Sequence, residues 1–299
     1  MKLNANTNLA GAACMLLSAF FLAIIGVIVK ASASQTGVWQ VSFYRAVVGT
    51  LLMLGMAAAF KVKLLGPKRK LLAIRGLLGA IGFLSLTMAL RGIPIAEVMV
   101  LFYLFPAFAA ILSPWISKES FPPANWLFIG LAFGGTFVVI SPGGGVHPGM
   151  GHLYALITAL LAGVNTALVR RLSADHSPYC IFFFFCLAAL AVSFLPLAAG
   201  VEPLVPSWAG LGWLAAIGAA ATVAQLMMNQ GFVFLPAAEG GVILMSQVVI
   251  AALWGVLLFD EPLTWRLVIG GGLILLGGLG INRAAAARRK RAAVKAGGK

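Results

Sequence analysis

Apolar residues run in blocks along this chain, and the blocks are too long for the helices of a water-soluble domain. Ten are marked, at 9–30, 40–60, 71–91, 95–116, 124–141, 150–170, 179–199, 209–233, 239–259 and 264–282. A hydrocarbon core about 30 Å thick needs roughly 20 apolar residues in a helix. Each block therefore predicts one transmembrane helix. The separators are polar and turn-rich: KVKLLGPKRK, SPGGGVHPGMG, EPLVPS and DEPLT. The pattern predicts an all-α polytopic membrane protein with ten crossings.

Composition supports this reading. Of 299 residues, 62% are hydrophobic and 9% charged, with a mean hydropathy of +1.04. Soluble proteins carry about 25% charged residues. The net charge of +14 comes from 21 Lys+Arg against 7 Asp+Glu. The basic residues cluster between and after the apolar blocks, which membrane topology explains without nucleic acid as a partner. Cys14, Cys180 and Cys186 lie in apolar blocks and form no CxxC motif, so no disulfide framework is expected.

Charge also orients the chain. With the N-terminus inside, the inner side holds Lys2, Lys61, Lys63, Lys68, Arg69, Lys70, Arg75, Lys118, Arg170 and Arg171. It also holds Arg283, Arg288, Arg289, Lys290, Arg291, Lys295 and Lys299, while the outer side holds only Lys30, Arg91 and Arg266. Both termini are expected in the cytoplasm, in a bacterial inner (plasma) membrane. Residues 9–29 followed by ASAS imitate a signal peptide, but the block is long for one and is expected to be retained.

The chain repeats itself. Pro94, Ala96, Glu97, Val100, Ala109, Ala110 and Glu119 meet Pro236, Ala238, Glu239, Val242, Ala251, Ala252 and Glu261 at an offset of 142. Gly11, Ser18, Ala19 and Lys30 meet Gly151, Thr158, Ala159 and Arg170 at an offset of 140. Two units of five helices are expected, at 1–146 and 147–283, followed by a basic cytoplasmic tail at 284–299. An odd number of crossings turns the second unit upside down. Inverted-topology repeats of this kind build secondary transporters.

The stretches FYRAVVGTLLML at 43–54, PIAEVMVLFYLFPAFAAIL at 94–112 and LFDEPLTWRLVIGGGLILLGG at 258–278 resemble the EamA-type branch of the drug/metabolite transporter superfamily. The resemblance spans about residues 9–282. It implies a ten-helix carrier, often an exporter of amino acids or related small metabolites. It also implies a central cavity lined mainly by the first, third, fourth, sixth, eighth and ninth helices.

Several polar residues are candidates for that cavity, each with a structural alternative. Glu97 and Glu239 each follow a proline at a helix start, where a carboxylate suits the positive end of the helix dipole. Near membrane depth they are equally gating or proton-coupling candidates. Arg45 lies roughly 8 Å into the second helix. It either snorkels to the outer interface or pairs with Glu97 or a substrate carboxylate. Asn165, Gln225, Asn229 and Gln247 are amides within helices, and lipid satisfies none of their hydrogen bonds. They either join helices or recognise substrate, and a neutral cavity built from them would suit a zwitterion or a polar heterocycle. Tyr103 and Trp254 either pack or contact lipid, or they wall the cavity. The run Phe182–Phe185 is expected to face lipid.

The glycines at 270–278 permit close helix approach, within the chain or across a homodimer. PGGGVHPG lacks the GK[ST] ending of a phosphate loop, and His147 and His152 are too few for a metal site. No cofactor or metal is expected. An intramembrane enzyme would need a zinc motif or a close acid pair, and a channel a selectivity filter. None is legible, so the expected function is transport, with a small-molecule substrate and the lipid bilayer as partners.

Overall fold

The computed structural model describes residues 5–116, 125–140, 149–172, 175–234 and 243–297. These residues form helices α1 (Ala5–Ala31), α2 (Val38–Phe60), α3 (Arg69–Gly92), α4 (Ile95–Phe102), α5 (Phe105–Ile116) and α6 (Asn125–Ile140). They continue as α7 (Met150–Leu172), α8 (Pro178–Ala198), α9 (Trp208–Phe234), α10 (Ser246–Phe259) and α11 (Trp265–Gly297). There is no strand among the described residues. Six helices are long and apolar enough to cross a membrane, and shorter apolar helices cover the remaining four blocks, the fourth block being shared by α4 and α5.

The fourth block differs from its expectation as one helix. It breaks between α4 and α5 at Tyr103 and Leu104. Pro106 lacks an amide hydrogen, and its ring excludes the helical carbonyl four residues back, at Phe102. The ninth block breaks at Met245, just before α10. Met245 is the repeat equivalent of Tyr103 at the offset of 142. Its counterpart of Pro106 is Val248, so no local breaker accounts for the second interruption. The breaks face each other where α4 packs on α10. The Tyr103 hydroxyl donates to the Leu244 carbonyl at 2.5 Å, satisfying a part-buried backbone acceptor beside the break.

Helix pairing follows the inverted repeat. α1 packs on α9 as α7 packs on α3, and α2 packs on α9 as α8 packs on α3. The pairs α2–α8, α4–α10 and α6–α11 map onto themselves. The glycines expected to allow close approach do so within the chain. A Cβ at Gly270 would sit 2.7 Å from the Gly135 carbonyl oxygen, and one at Gly277 would sit 2.5 Å from that of Phe128. These glycines seat α11 against α6.

Loops tie the halves together at both ends. At the end away from the termini, here the far end, Glu202 between α8 and α9 accepts the backbone N–H groups of Val38, Trp39 and Gln40 at 2.8, 3.0 and 3.1 Å. That carboxylate serves the open N-terminus of α2, whose amides have no helical acceptor. Gln40 extends the tie by donating to the Pro203 carbonyl at 2.6 Å. At the opposite, basic end, Lys68 pairs with Asp175 at 2.5 Å and the His176 ring lies 2.6 Å from the Pro67 carbonyl. The Lys68 ammonium, by its hydrogen bond and then its charge, holds the Asp175 carboxyl below the ordinary carboxylate range.

Candidate functional site

A cavity of about 170 Å³ lies in the middle of the helices. One water needs only about 15 Å³, so the space admits a small organic molecule. Its wall includes Arg45 from α2, Arg75, Gly79 and Phe83 from α3, and Phe102 from α4. Thr158 and Asn165 from α7, Phe185 from α8 and Gln225 from α9 complete the polar and aromatic lining. The second and seventh crossings thus contribute, whereas the resemblance implied the first and ninth.

Small residues make the room. A Cβ at Gly79 would lie 2.8 Å from the Phe185 ring and 3.5 Å from the Asn165 amide nitrogen. Thr158 donates to the Gly82 carbonyl at 3.2 Å and to the Tyr154 carbonyl at 2.8 Å, fixing α7 against α3.

Arg45 does not snorkel to the interface. Its guanidinium carbon stands 4.0 Å from the Phe83 ring centroid and 4.9 Å from that of Phe185. Arg75, counted from sequence among the cytoplasmic charges, enters the same site from the opposite direction. Its guanidinium carbon is 5.6 Å from the Phe185 centroid, and it donates to the Ile181 carbonyl at 3.4 Å. Neither arginine takes part in the three ion pairs among the described residues. The Nε atoms of Arg45 and Arg75 and the Oδ1 atom of Asn165 are buried without a hydrogen-bond partner.

Of the amides expected at the cavity, Asn165 and Gln225 line it. Gln247 does not. It is buried between α10 and α4, with Oε1 3.3 Å from the Tyr103 hydroxyl and Nε2 3.1 Å from the Met99 sulfur. Tyr103 likewise joins helices rather than walling the cavity, and half-buried Trp254 on α10 is absent from the lining. The Asn229 side chain and all of Glu239, with His147, lie outside the described residues. The Phe182–Phe185 run turns inward instead of toward lipid: Phe182, Phe183 and Phe185 are buried. Composition could not separate these alternatives, because an aromatic suits lipid and core equally.

The far side of the cavity is sealed. About one turn beyond the wall residues Leu86, Phe102 and Thr158 stand Leu90, Met99 and Ala155. All three are buried in one apolar cluster. Above this layer is an ionic group that sequence reasoning saw only in part. Both Glu261 oxygens accept the Ile95 N–H, at 3.1 and 2.9 Å, and the same carboxylate pairs with Lys30. Glu97 sits in the first turn of α4, as expected of a helix-start carboxylate, and its Oε2 lies 3.2 Å from His152 Nε2. His152 Nδ1 accepts the Gly149 N–H at 3.2 Å. The ring proton therefore resides on Nε2 and is donated to Glu97. The group ties α1, α4, α7 and the loop between α10 and α11 together. Glu261 and Glu202 each precede a proline in the sequence, and that Glu-Pro pair was the available signal for both capping carboxylates.

The model of the EamA-like transporter family matches residues 9–141 and 149–283. The pseudopaline exporter CntI of Pseudomonas aeruginosa is 25% identical over 277 residues, spanning 92% of this chain and 96% of that protein. Human solute carrier family 35 member G1 is 25% identical over 278 residues, spanning 87% of this chain and 75% of its own length. A crystal structure of a 20% identical protein matches with a TM-score of 0.65, covering 95% of this chain and 99% of its own. That last likeness is one of fold.

Proposed function

The chain belongs to the EamA-like transporter family, and from that premise we propose that it is a secondary transporter that exports amino acids or related small metabolites by alternating access. The observation that carries this reading is a central cavity between two inverted units, sealed on its far side by a single packed layer. Rocking one unit against the other would open that layer and close the opposite side. The far end faces the outside of a bacterial inner membrane, and both termini are cytoplasmic. Removing Arg75 from the inner tally leaves the charge asymmetry that supports this orientation.

Export of amino-acid-like solutes is favoured by the name of one relative, an exporter, and by the arginines, which suit a carboxylate. Proton coupling would run through Glu97 and His152, the buried titratable pair on the outward path, with Glu239 as the repeat equivalent. A homodimer would use the open face of α11 at Gly272, where a Cβ would meet nothing within 4 Å. The test is counterflow in liposomes holding the purified protein. Labelled substrate should exchange without ATP, and a strict ATP requirement would exclude the reading.

A further inference from the structure

We infer that the central cavity takes a small dicarboxylate, one carboxylate for each of Arg45 and Arg75, in preference to a neutral zwitterion or a cation. The inference rests on the transporter reading and narrows its substrate by charge.

Two guanidinium groups stand at 4.9 and 5.6 Å from the same Phe185 centroid. They reach it from different helices that enter the membrane from opposite ends. No acidic residue among the described residues lines the cavity, and neither arginine has an ion-pair partner among them. Burying an unpaired charge is strongly unfavourable, and burying two like charges together is worse. Packing alone gives no reason for them, since methionine would fill the same space without charge. A dianionic ligand supplies the missing partners.

The aromatic rings explain the geometry. The ring centroids of Phe83 and Phe185 stand 4.0 and 4.9 Å from the Arg45 guanidinium carbon, and the rings offer it no hydrogen-bond acceptor. The ring contact attracts the charge but leaves its N–H donors without an acceptor, which a carboxylate would supply. The Nε of each arginine is buried without an acceptor, so a carboxylate in the cavity would meet the terminal nitrogens of each guanidinium. An ammonium group alone finds no acidic partner in this wall, so a simple zwitterion would leave one arginine unmatched and add a third positive charge.

The test uses the purified full-length protein in detergent at constant ionic strength, melted in the presence of succinate, L-aspartate, L-alanine or inorganic phosphate. Succinate and aspartate should raise the melting temperature saturably, and alanine and phosphate should not. Arg45→Met and Arg75→Met should each melt higher than the parent without ligand and lose the succinate shift. Arg45→Lys and Arg75→Lys keep the charge without the fork, and should weaken succinate at least about tenfold, the loss of one charge-assisted hydrogen bond. An equal shift with alanine or phosphate would overturn the inference. So would methionine variants that melt lower and keep the succinate shift, since the arginines would then be structural. Counterflow in liposomes separates the two readings. Exchange of alanine, with succinate neither bound nor moved, would sink the dicarboxylate and leave the transporter. Arginine-dependent succinate binding with no ATP-independent flux of any solute would do the reverse.

Discussion

Residues of the same chemical type have different roles here, and their surroundings decide which. Tyr103 and Gln247 are bonded to each other and to the interrupted helices, whereas Asn165 lines the cavity and its buried oxygen has no partner. Tyr103→Phe should therefore lower stability by about 0.6–1.7 kcal/mol, the range for interhelical hydrogen bonds in a membrane, and leave substrate affinity unchanged. Asn165→Leu should do the opposite, weakening binding while melting no lower than the parent. Melting temperature and affinity measured on both variants check the assignment. Glu97→Gln removes one charge from the far-end group while keeping a hydrogen-bonding side chain for His152. If the pair couples protons, a pH gradient should no longer drive transport, and substrate exchange should persist. Equal pH-driven rates in parent and variant would reduce Glu97 to a helix-start group.

Helix ends in this protein are completed by other helices' loops. The N-terminus of α2 depends on Glu202, more than 160 residues away, which accepts three consecutive amides. Glu202→Ala should cost about 1–2 kcal/mol, as for loss of a good N-cap plus its dipole interaction, read as a fall in melting temperature. The basic-end clasp behaves differently because it is exposed. Asp175 is held below its ordinary range by Lys68. A carboxyl so depressed adds stability that is fully present above its unfolded pKa of about 4 and is lost as pH falls through the folded value. Lys68→Met should remove that contribution at neutral pH, a small loss because the pair is exposed, and flatten the acid limb below about pH 4 to match, so that parent and variant converge in acid. A pH series of melting curves decides it.

At the scale of the whole molecule, the seal over the cavity makes a claim about access. In a background with Cys14, Cys180 and Cys186 replaced by alanine, a cysteine at Ala162 in the cavity wall should resist a membrane-impermeant thiol reagent added from outside. Replacing Leu90 and Met99 together by alanine should expose it, because the two side chains fill the layer between wall and far end. Labelling at Ala162 from outside in the parent would show that the far end is open. Cysteines in the loop at 141–149 should be labelled from outside and those at 61–70 protected, and the reverse would invert the topology.

Much of this was legible in the order of residues. Ten apolar blocks, their basic separators and the repeated Pro94–Glu97 and Pro236–Glu239 stretches determined the all-helical class, the inverted repeat and the family resemblance. Those features depend on length, hydropathy and spacing, which are properties of the chain itself. The interruption at Tyr103 was also written locally, in Pro106, but the one at Met245 was not. What each polar side chain meets was decided only by tertiary packing. Arg45 at an interface and Arg45 in a cavity are the same residue at the same depth in the same helix. Arg75 reads as a cytoplasmic charge until α3 is placed against α8. The Phe182–Phe185 run reads as lipid contact until Phe185 is found beneath both guanidinium groups. A helix is specified by local periodicity, but the direction in which its faces point is set by neighbours more than a hundred residues away. The charge of the cavity therefore emerged only when the helices were assembled.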